Sequence, residues 1–456
     1  MMKKMSIRLT PEWGEFQQME TVNGLLVEEW LQAEAFEAPV FCFPDLAFGG
    51  RCPFPEWSFL RMEDEEGDLP YELRPIPTLD DNMTFQGIFP IRPIQGGAVR
   101  LIYRIVPRIL PEGYRRSPCF DFRAEPLGLT ATGLFSLMLP FTEDRKERME
   151  TVLSWDLSKL PEKCRAVLSL GEGTVQGQFT RKDLVDTMYA VGKMQSFEED
   201  GLGIYWFLNP PFDIRRMAGK ILPVFRYEKA YFEDEGAVFR AFLRRDPFPL
   251  SGAGSACPYA FISTYSALDT PEDFSGNEEQ WIDVFIHEMT HTWPAMEDVT
   301  TGDGTWFCEG ATEYYCTLVP YWGGFASAEE TVRKINRKIA EDYLKNPYRE
   351  MPGYEIAKIQ WQDLRAQHVP YGRGMLYIAC TEAKLRKRGK GSVLELVKKH
   401  NIVHPMTKQE WKDFVYEKLG DEGLQDFQDM EDGKIPPIPE DVFGSEIRTE
   451  GEHWES

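Results

Sequence analysis

Two histidines four residues apart frame the segment His287-Glu288-Met289-Thr290-His291. Asn277, a good N-cap, precedes Glu278-Glu-Gln-Trp-Ile-Asp-Val-Phe-Ile, and Gln280 three residues on fits a capping box. The pattern predicts a helix over 278–292, with acidic residues favourably placed in its first turn. His287 and His291 then share one face, one turn apart, where two imidazoles can meet a single metal ion. Glu288 lies beside them, placed to take a proton from water without being a ligand itself. The chain holds only six histidines among 456 residues, so a chance occurrence of this spacing is rare.

A hydrolytic metal site needs a third protein ligand and an open fourth position. Downstream stands Thr305-Trp-Phe-Cys-Glu-Gly-Ala-Thr-Glu-Tyr-Tyr, in which Glu309 and Glu313 are again one helical turn apart. One can bind the metal while the other accepts the second N–H of a histidine and fixes its tautomer. We assign Glu309 as ligand and Glu313 as the residue behind a histidine, with the reverse assignment open. Asp283, one turn before His287, is a weaker candidate for that supporting role. Cys308 neighbours Glu309, but adjacent helical residues point about 100° apart. Closed structural sites are also usually rich in cysteine. Cys308 therefore reads as a packed, inert thiol.

The elements that must position these residues follow a β-rich, then mixed, then helical order. Residues 1–195 carry short apolar runs such as Val99-Arg-Leu-Ile-Tyr-Arg-Ile-Val and Val152-Leu-Ser-Trp, separated by Pro, Gly and Asp. They predict an all-β sandwich or saddle-like domain. Glu63-Asp-Glu-Glu-Gly-Asp reads as an exposed loop. Strands are expected at Gly203-Ile-Tyr-Trp-Phe-Leu, Ala237-Val-Phe-Arg-Ala-Phe-Leu and Tyr259-Ala-Phe-Ile-Ser-Thr-Tyr. Helices are expected at 328–345, 374–388, 392–400 and 408–419. The domains are thus 1–195, 196–420 and a tail over 421–456, which holds 12 acidic and 2 basic residues. This order suits an α+β catalytic domain behind an all-β domain.

Composition narrows the function classes. A formal net charge of -23 repels phosphate backbones and argues against nucleic acid as a partner. The basic run Lys384-Leu-Arg-Lys-Arg-Gly-Lys reads as a solvated helix end, where cations complement the dipole. Eight scattered cysteines include no Cys-x-x-Cys pair, so neither a zinc ribbon nor a redox dithiol is signalled. No apolar run is long enough to span a membrane, and the N-terminal segment makes a poor signal peptide. A cytoplasmic location is the default expectation.

His287-Glu-Met-Thr-His-Thr-Trp followed by Trp306-Phe-Cys-Glu-Gly-Ala-Thr-Glu-Tyr-Tyr resembles the gluzincin metallopeptidases, above all the glycyl aminopeptidase family and the related alanyl aminopeptidase family. The resemblance is strong over residues 280–380 and rests on texture and domain order elsewhere. It implies one Zn²⁺ per chain held by His287, His291 and Glu309, with Glu288 as general base, in a thermolysin-like domain whose C-terminal part is mostly helical. Val369-Pro-Tyr-Gly-Arg-Gly is similar to the families' Pro-Tyr-x-Lys-Gly segment and implies that Tyr371 stabilises the oxyanion. Nearby His368 and Arg373 become candidate substrate contacts.

Two departures stand out. Seventeen residues separate His291 from Glu309, one fewer than is typical of the alanyl branch. More seriously, the alanyl branch carries a Gly-x-Met-Glu-Asn segment whose Glu holds the substrate amine. The corresponding stretch, Gly252-Ala-Gly-Ser-Ala-Cys-Pro-Tyr-Ala-Phe-Ile-Ser-Thr-Tyr, has no acidic residue. Gly252 and Gly254 remain candidates for an edge that pairs with a peptide backbone. The expectation is hydrolysis of a peptide or protein substrate. The alternatives are a catalytically silent binding protein that retains zinc, or a zinc hydrolase acting on a non-peptide amide or an epoxide.

Overall fold

The computed structural model describes residues 2–47, 50–51, 59–77, 83–107, 121–142, 144, 146–246, 254–266, 268, 270, 278–297, 302–360, 362–450 and 453–455. Two compact units emerge, one of residues 1–214 with 239–276 and one of 215–238 with 277–456. A β-rich N-terminal part and a helical C-terminal part are thus as expected, although the units do not divide at residue 195.

In the first unit, alternation of apolar residues builds the larger sheets. Val99, Leu101, Tyr103 and Ile105 face inward from strand Ala98–Ile105 while the residues between them stay half-exposed. That strand joins a seven-stranded sheet with the long hairpin Lys4–Phe16 and Met19–Gln32. One hydrophobic cluster gathers Ile7, Val27, Leu101, Phe41, Ile88, Leu129 and Val191 from three sheets. The acidic stretch at 63–68, expected as a loop, is a hairpin end between Phe59–Asp64 and Gly67–Asp68. Asp64 there accepts from Arg92 Nη1 at 2.5 Å and from the Gln95 N–H at 2.9 Å.

A fourth sheet of the first unit holds the strands expected after residue 200: Leu202–Trp206, Phe239–Asp246 and Ala260–Ser266, paired in parallel. Every residue of Leu202–Trp206 and Ala260–Ser266 is buried, as befits central strands covered on both faces. Gly254–Cys257 pairs antiparallel at the sheet's edge. Gly254 begins that strand, whereas Gly252 lies outside the described residues, as does Asn277. A parallel pair needs a crossover. The one between 206 and 239 contains the helix Ile214–Tyr231, which the sequence did not announce because Gly219 and Pro223 interrupt its pattern.

The second unit is helical. His287 lies on Glu278–Thr290, the "metal helix" below, and His291 follows it with its N–H still bonded to the His287 carbonyl at 3.2 Å. Glu309 and Glu313 lie on Thr305–Trp322, the "glutamate helix". Tyr371 lies on Leu364–Arg388, the "long helix", capped by the Asp363 side chain. This helix starts ten residues before the expected position. Pro370, Gly372 and Gly374 lie inside it, and the glycines serve a close approach. A Cβ on Gly374 would sit 1.9 Å from the Trp306 carbonyl oxygen, and one on Gly310 would sit 2.3 Å from the Gly374 Cα. The two backbones touch beside Glu309 and Tyr371. Residues 328–345 form an α-helix, Ala328–Ile335, running into a π-helical stretch, Asn336–Leu344. The helix expected at 392–400 is only the short turn Leu394–Val397.

The described residues of the C-terminal stretch include the helix Asp421–Glu431 and the strand pair Arg448–Glu450 with His453–Glu455. Helix Asp421–Glu431 supplies Asp426 and Glu422 to Lys384, at 2.5 and 2.8 Å, and Glu422 to Arg388. The basic helix end is therefore neutralised by acidic neighbours rather than only solvated. Trp306 packs edge-on against Tyr377 and Trp411, each 5.4 Å between centroids, and joins the helix Lys408–Leu419 to the core. Trp454 is fully buried, its backbone gripped twice by the Asn336 side chain. Cys42, Cys164, Cys308, Cys316 and Cys380 are free thiols. No helix among the described residues is long and apolar enough to cross a membrane.

Alanine at a helix interior normally stabilises by about 1 kcal/mol relative to glycine. At Gly374 the sign should reverse, because the added methyl meets backbone that cannot move aside cheaply. Gly374→Ala is expected to lose about 1–3 kcal/mol in urea unfolding, a usual cost of overpacking. A gain in stability would show that the two helices are not in backbone contact.

Candidate metal centre

The metal helix and the glutamate helix bring three ligand atoms to one point. His287 Nε2 and His291 Nε2 lie 3.1 Å apart. Glu309 Oε2 lies 3.4 Å from the first and 3.3 Å from the second. An ion bound tetrahedrally at about 2.0–2.1 Å from each ligand requires ligand–ligand separations near ~3.3 Å. The triangle therefore has the size that zinc needs. Glu309 Oε2 is also buried without a hydrogen bond of normal geometry, which is the condition of an atom reserved for a cation. Burial works against ionisation of Glu309, yet His291 and His287 outweigh it and hold the carboxyl well below its ordinary value.

Each histidine is held from behind by the glutamate helix. Thr312 Oγ1 lies 3.0 Å from His291 Nδ1, and Glu313 Oε1 lies 3.4 Å from His287 Nδ1. Both contacts leave the Nε2 atoms facing the cluster, which fixes the tautomers a metal requires. Glu309, Thr312 and Glu313 stand at i, i+3 and i+4, so one helical face supplies all three. Thr312 escaped the sequence reading, although that spacing from Glu309 was its available signal. The two imidazole rings stand edge to face, 4.7 Å apart at 88°.

A second set of donors, His287 with Glu313 and Cys316, also lies close together. It sits on the Nδ1 side of His287. Burial pushes the Cys316 thiol up, Glu313 raises it further, and the Lys338 ammonium is already paired with Glu313. A protonated thiol beside an ammonium group is a poor place for a metal cation. The Nε2 side is the better site.

Glu288 and Tyr371 complete the constellation. Glu288 is half-exposed by surface but enclosed enough that burial pushes its carboxyl up to about 7, with Glu309 and Glu313 adding to the rise and His291 opposing it. A bound cation would draw that value down again. The Tyr371 ring lies parallel to His287, 6.0 Å between centroids. Burial, then the Glu309, Glu288 and Glu313 carboxylates, keep its phenol protonated far above the ordinary range. A protonated phenol can donate a hydrogen bond.

Other sequence expectations resolve differently. Asp283 does not stand behind His287. Its Oδ1 pairs with Lys334 at 2.6 Å, because a helical period fixes the face of a residue and not its partner. Arg373 is 4% exposed and donates to the carbonyls of Arg349 and Met351 at 2.9 and 2.7 Å. This latches the 349–351 turn and leaves the guanidinium no reach to substrate, which corrects its expected role. His368 lies half-buried three residues before Tyr371 on the same helix. Cys308 is buried, with its sulfur 3.1 Å from the Met296 N–H, and burial pushes the thiol up to about 12. It packs, as expected, and lies outside both donor sets.

Behind the metal helix sits a residue that sequence gave no reason to name. Glu228, on Ile214–Tyr231, is fully buried with Oε1 2.7 Å from Thr290 Oγ1. Thr290 Oγ1 is equally close, at 2.7 Å, to the Ile286 carbonyl. The hydroxyl has one proton to give, and the Ile286 carbonyl can only accept. The Thr290 hydroxyl is placed to donate to either the Glu228 carboxyl or the Ile286 carbonyl, and burial pushes the Glu228 carboxyl up to about 8 against that hydrogen bond.

In the unfolded chain Glu228 ionises near its ordinary value of 4.5, whereas in the folded protein it keeps its proton to about pH 8. Its contribution to stability is complete below 4.5 and is lost as the pH rises through 8. Glu228→Gln should therefore flatten the fall in stability between pH 5.5 and 7.5, by up to about 1.4 kcal/mol per pH unit. Urea midpoints at the two pH values measure this. Equal slopes in wild type and variant would mean that Glu228 is ionised in the folded state.

No protein-family model matches the chain, and no curated protein is similar enough in sequence to count as a match. Solved structures do resemble it. An aminopeptidase N family protein from Idiomarina loihiensis is similar with a TM-score of 0.66 at 13% identity, over 96% of this chain and 78% of that one. An M1 zinc metallopeptidase from Deinococcus radiodurans matches with a TM-score of 0.54 at 18% identity, over 96% and 95%. Leukotriene A4 hydrolase from Saccharomyces cerevisiae matches with a TM-score of 0.55 at 12% identity, over 96% and 69%. These likenesses establish architecture: the chain has the fold of the M1 zinc metallopeptidases.

Proposed function

We propose that this protein is a zinc-dependent metallopeptidase with one Zn²⁺ per chain, held by His287, His291 and Glu309 in a thermolysin-like arrangement. The observation that carries the reading is the triangle of ligand atoms, 3.1–3.4 Å on a side, with a carboxylate and a phenol beside it. When bound, zinc makes water nucleophilic near neutral pH and polarises a carbonyl. A structural metal site would need neither a proton carrier nor an oxyanion donor, yet Glu288 and Tyr371 are both present.

Glu288 takes a proton from the attacking water and returns it to the leaving amine. Its neighbours favour that exchange, because burial and two carboxylates hold its proton affinity close to neutrality before the cation is counted. Tyr371 donates a hydrogen bond to the oxygen on which negative charge develops. Glu313 and Thr312 keep the histidines from turning. The Deinococcus radiodurans protein has a solved structure bound to a Tyr-Ser-Ala substrate, which supports a peptide as the substrate class. Residues 252–265 carry no acidic residue to match the amine-holding Glu of the alanyl branch, so peptide-bond hydrolysis is the reading, without commitment to removal of single N-terminal residues.

Purified protein should carry close to one zinc and cleave peptides, with product termini mapped by mass spectrometry and chelated protein as control. Glu288→Gln should retain zinc and lose at least about a hundredfold in kcat, the usual range for general acid–base catalysis. Tyr371→Phe should lose about a hundredfold or more in kcat with zinc intact. Stoichiometric zinc without turnover in wild type would replace this reading with a zinc-retaining binding protein.

A further inference from the structure

Lys338 lies outside every motif that marks the metal centre, yet its ammonium group reaches two of the residues around it. It pairs with Glu313, the carboxylate behind His287. It also stands over the Tyr371 ring, 5.5 Å from the centroid. Glu313 is nearly inaccessible, its side chain 4% exposed, and lies near two further carboxylates, Glu288 and Glu309. An enclosed carboxylate in such company requires a counter-charge. Lys338 is the cation it is paired with.

The local backbone explains why a lysine arrives there. Lys334 and Lys338 are one turn apart on a continuous helical run. Lys334 meets Asp283 of the metal helix, and Lys338 meets Glu313 of the glutamate helix. The run turns π-helical from Asn336, a feature common at functional sites. It presses on the long helix where Tyr371 leaves it. A Cβ on Gly372 would lie 2.6 Å from the Lys338 carbonyl oxygen and 2.4 Å from the Tyr343 Cβ. Only glycine beside Tyr371 admits this approach.

We propose that Lys338 is a positioning residue that ties the metal-binding and oxyanion-binding halves of the centre together. Through Glu313 it fixes the orientation of His287, and through the face of the Tyr371 ring it fixes the phenol. The inference rests on the metallopeptidase reading. The test uses full-length wild type, Lys338→Met and Lys338→Arg, each loaded with zinc. One readout is the rate of zinc loss to dipicolinate, and the other is kcat and KM on a peptide that wild type cleaves.

Lys338→Met should release zinc about 10–100-fold faster, the range for loss of a partner that orients a metal ligand. Its kcat should fall at least about tenfold while KM moves little, because the phenol acts mainly in the transition state. Lys338→Arg should restore both, since it keeps the charge and the ring contact. If Lys338→Met does not fold, Lys338→Gln, which keeps a donor to Glu313 without the charge, should show the same losses. Wild-type zinc retention and kcat in a folded Met or Gln variant would overturn the role of Lys338 alone. A wild type that binds no zinc would overturn it together with the reading beneath it.

Discussion

A methyl group at Gly374 would sit 1.9 Å from the carbonyl oxygen of Trp306, and this backbone contact between the glutamate helix and the long helix sets the geometry of the centre. Helices whose side chains interdigitate stand 8–10 Å apart. Gly310 and Gly374 remove the side chains at the crossing. Glu309 precedes one of these glycines and Tyr371 lies three residues before the other, so the carboxylate and the phenol are brought into reach although they stand on separate helices, Thr305–Trp322 and Leu364–Arg388. The aromatic cluster of Trp306, Tyr377 and Trp411 packs alongside and holds the crossing in place. Gly372 then lets the π-helical stretch approach the same turn. Three glycines, none of them chemical, thus decide where the chemistry stands.

Charge supplies the second constraint. Glu288, Glu309 and Glu313 gather around two histidines in a space largely closed to water. Such an arrangement is costly unless positive charge is present. Lys338 meets Glu313, and a divalent cation at the His287–His291–Glu309 triangle would meet the rest. Geometry and charge therefore ask for the same occupant at the same point. The supporting shell is equally ordered: Thr312 and Glu313 fix the two rings, and Glu228 braces the hydroxyl next to His291 from a different helix.

What the sequence made legible follows from the reach of a helical period. His287 with His291, and Glu309 with Glu313, are pairs within single helices, so their spacing announced their shared faces. The strands at 202–206, 239–246 and 260–266 were legible as apolar runs. Lys338 and Glu228 were not, because they meet Glu313 and Thr290 across 25 and 62 residues, and no local pattern records such a meeting. Asp283 and Arg373 were placed near the site by position in sequence alone. Lys334 in one case and two backbone carbonyls in the other claimed them. The glycines of the long helix mark a contact with partners distant in sequence, which no local pattern announces. The acidic C-terminal stretch read as a tail because its partners, Lys384 and Arg388, belong to another element.

The proposed chemistry turns on a cation at one point in space. A crystal structure of zinc-loaded protein, with anomalous data collected on both sides of the zinc absorption edge, tests it most directly. A single peak about 2.0–2.2 Å from His287 Nε2, His291 Nε2 and a Glu309 oxygen is the expected result. A peak on the Nδ1 side of His287, against Glu313 and Cys316, or no peak at all, would contradict it.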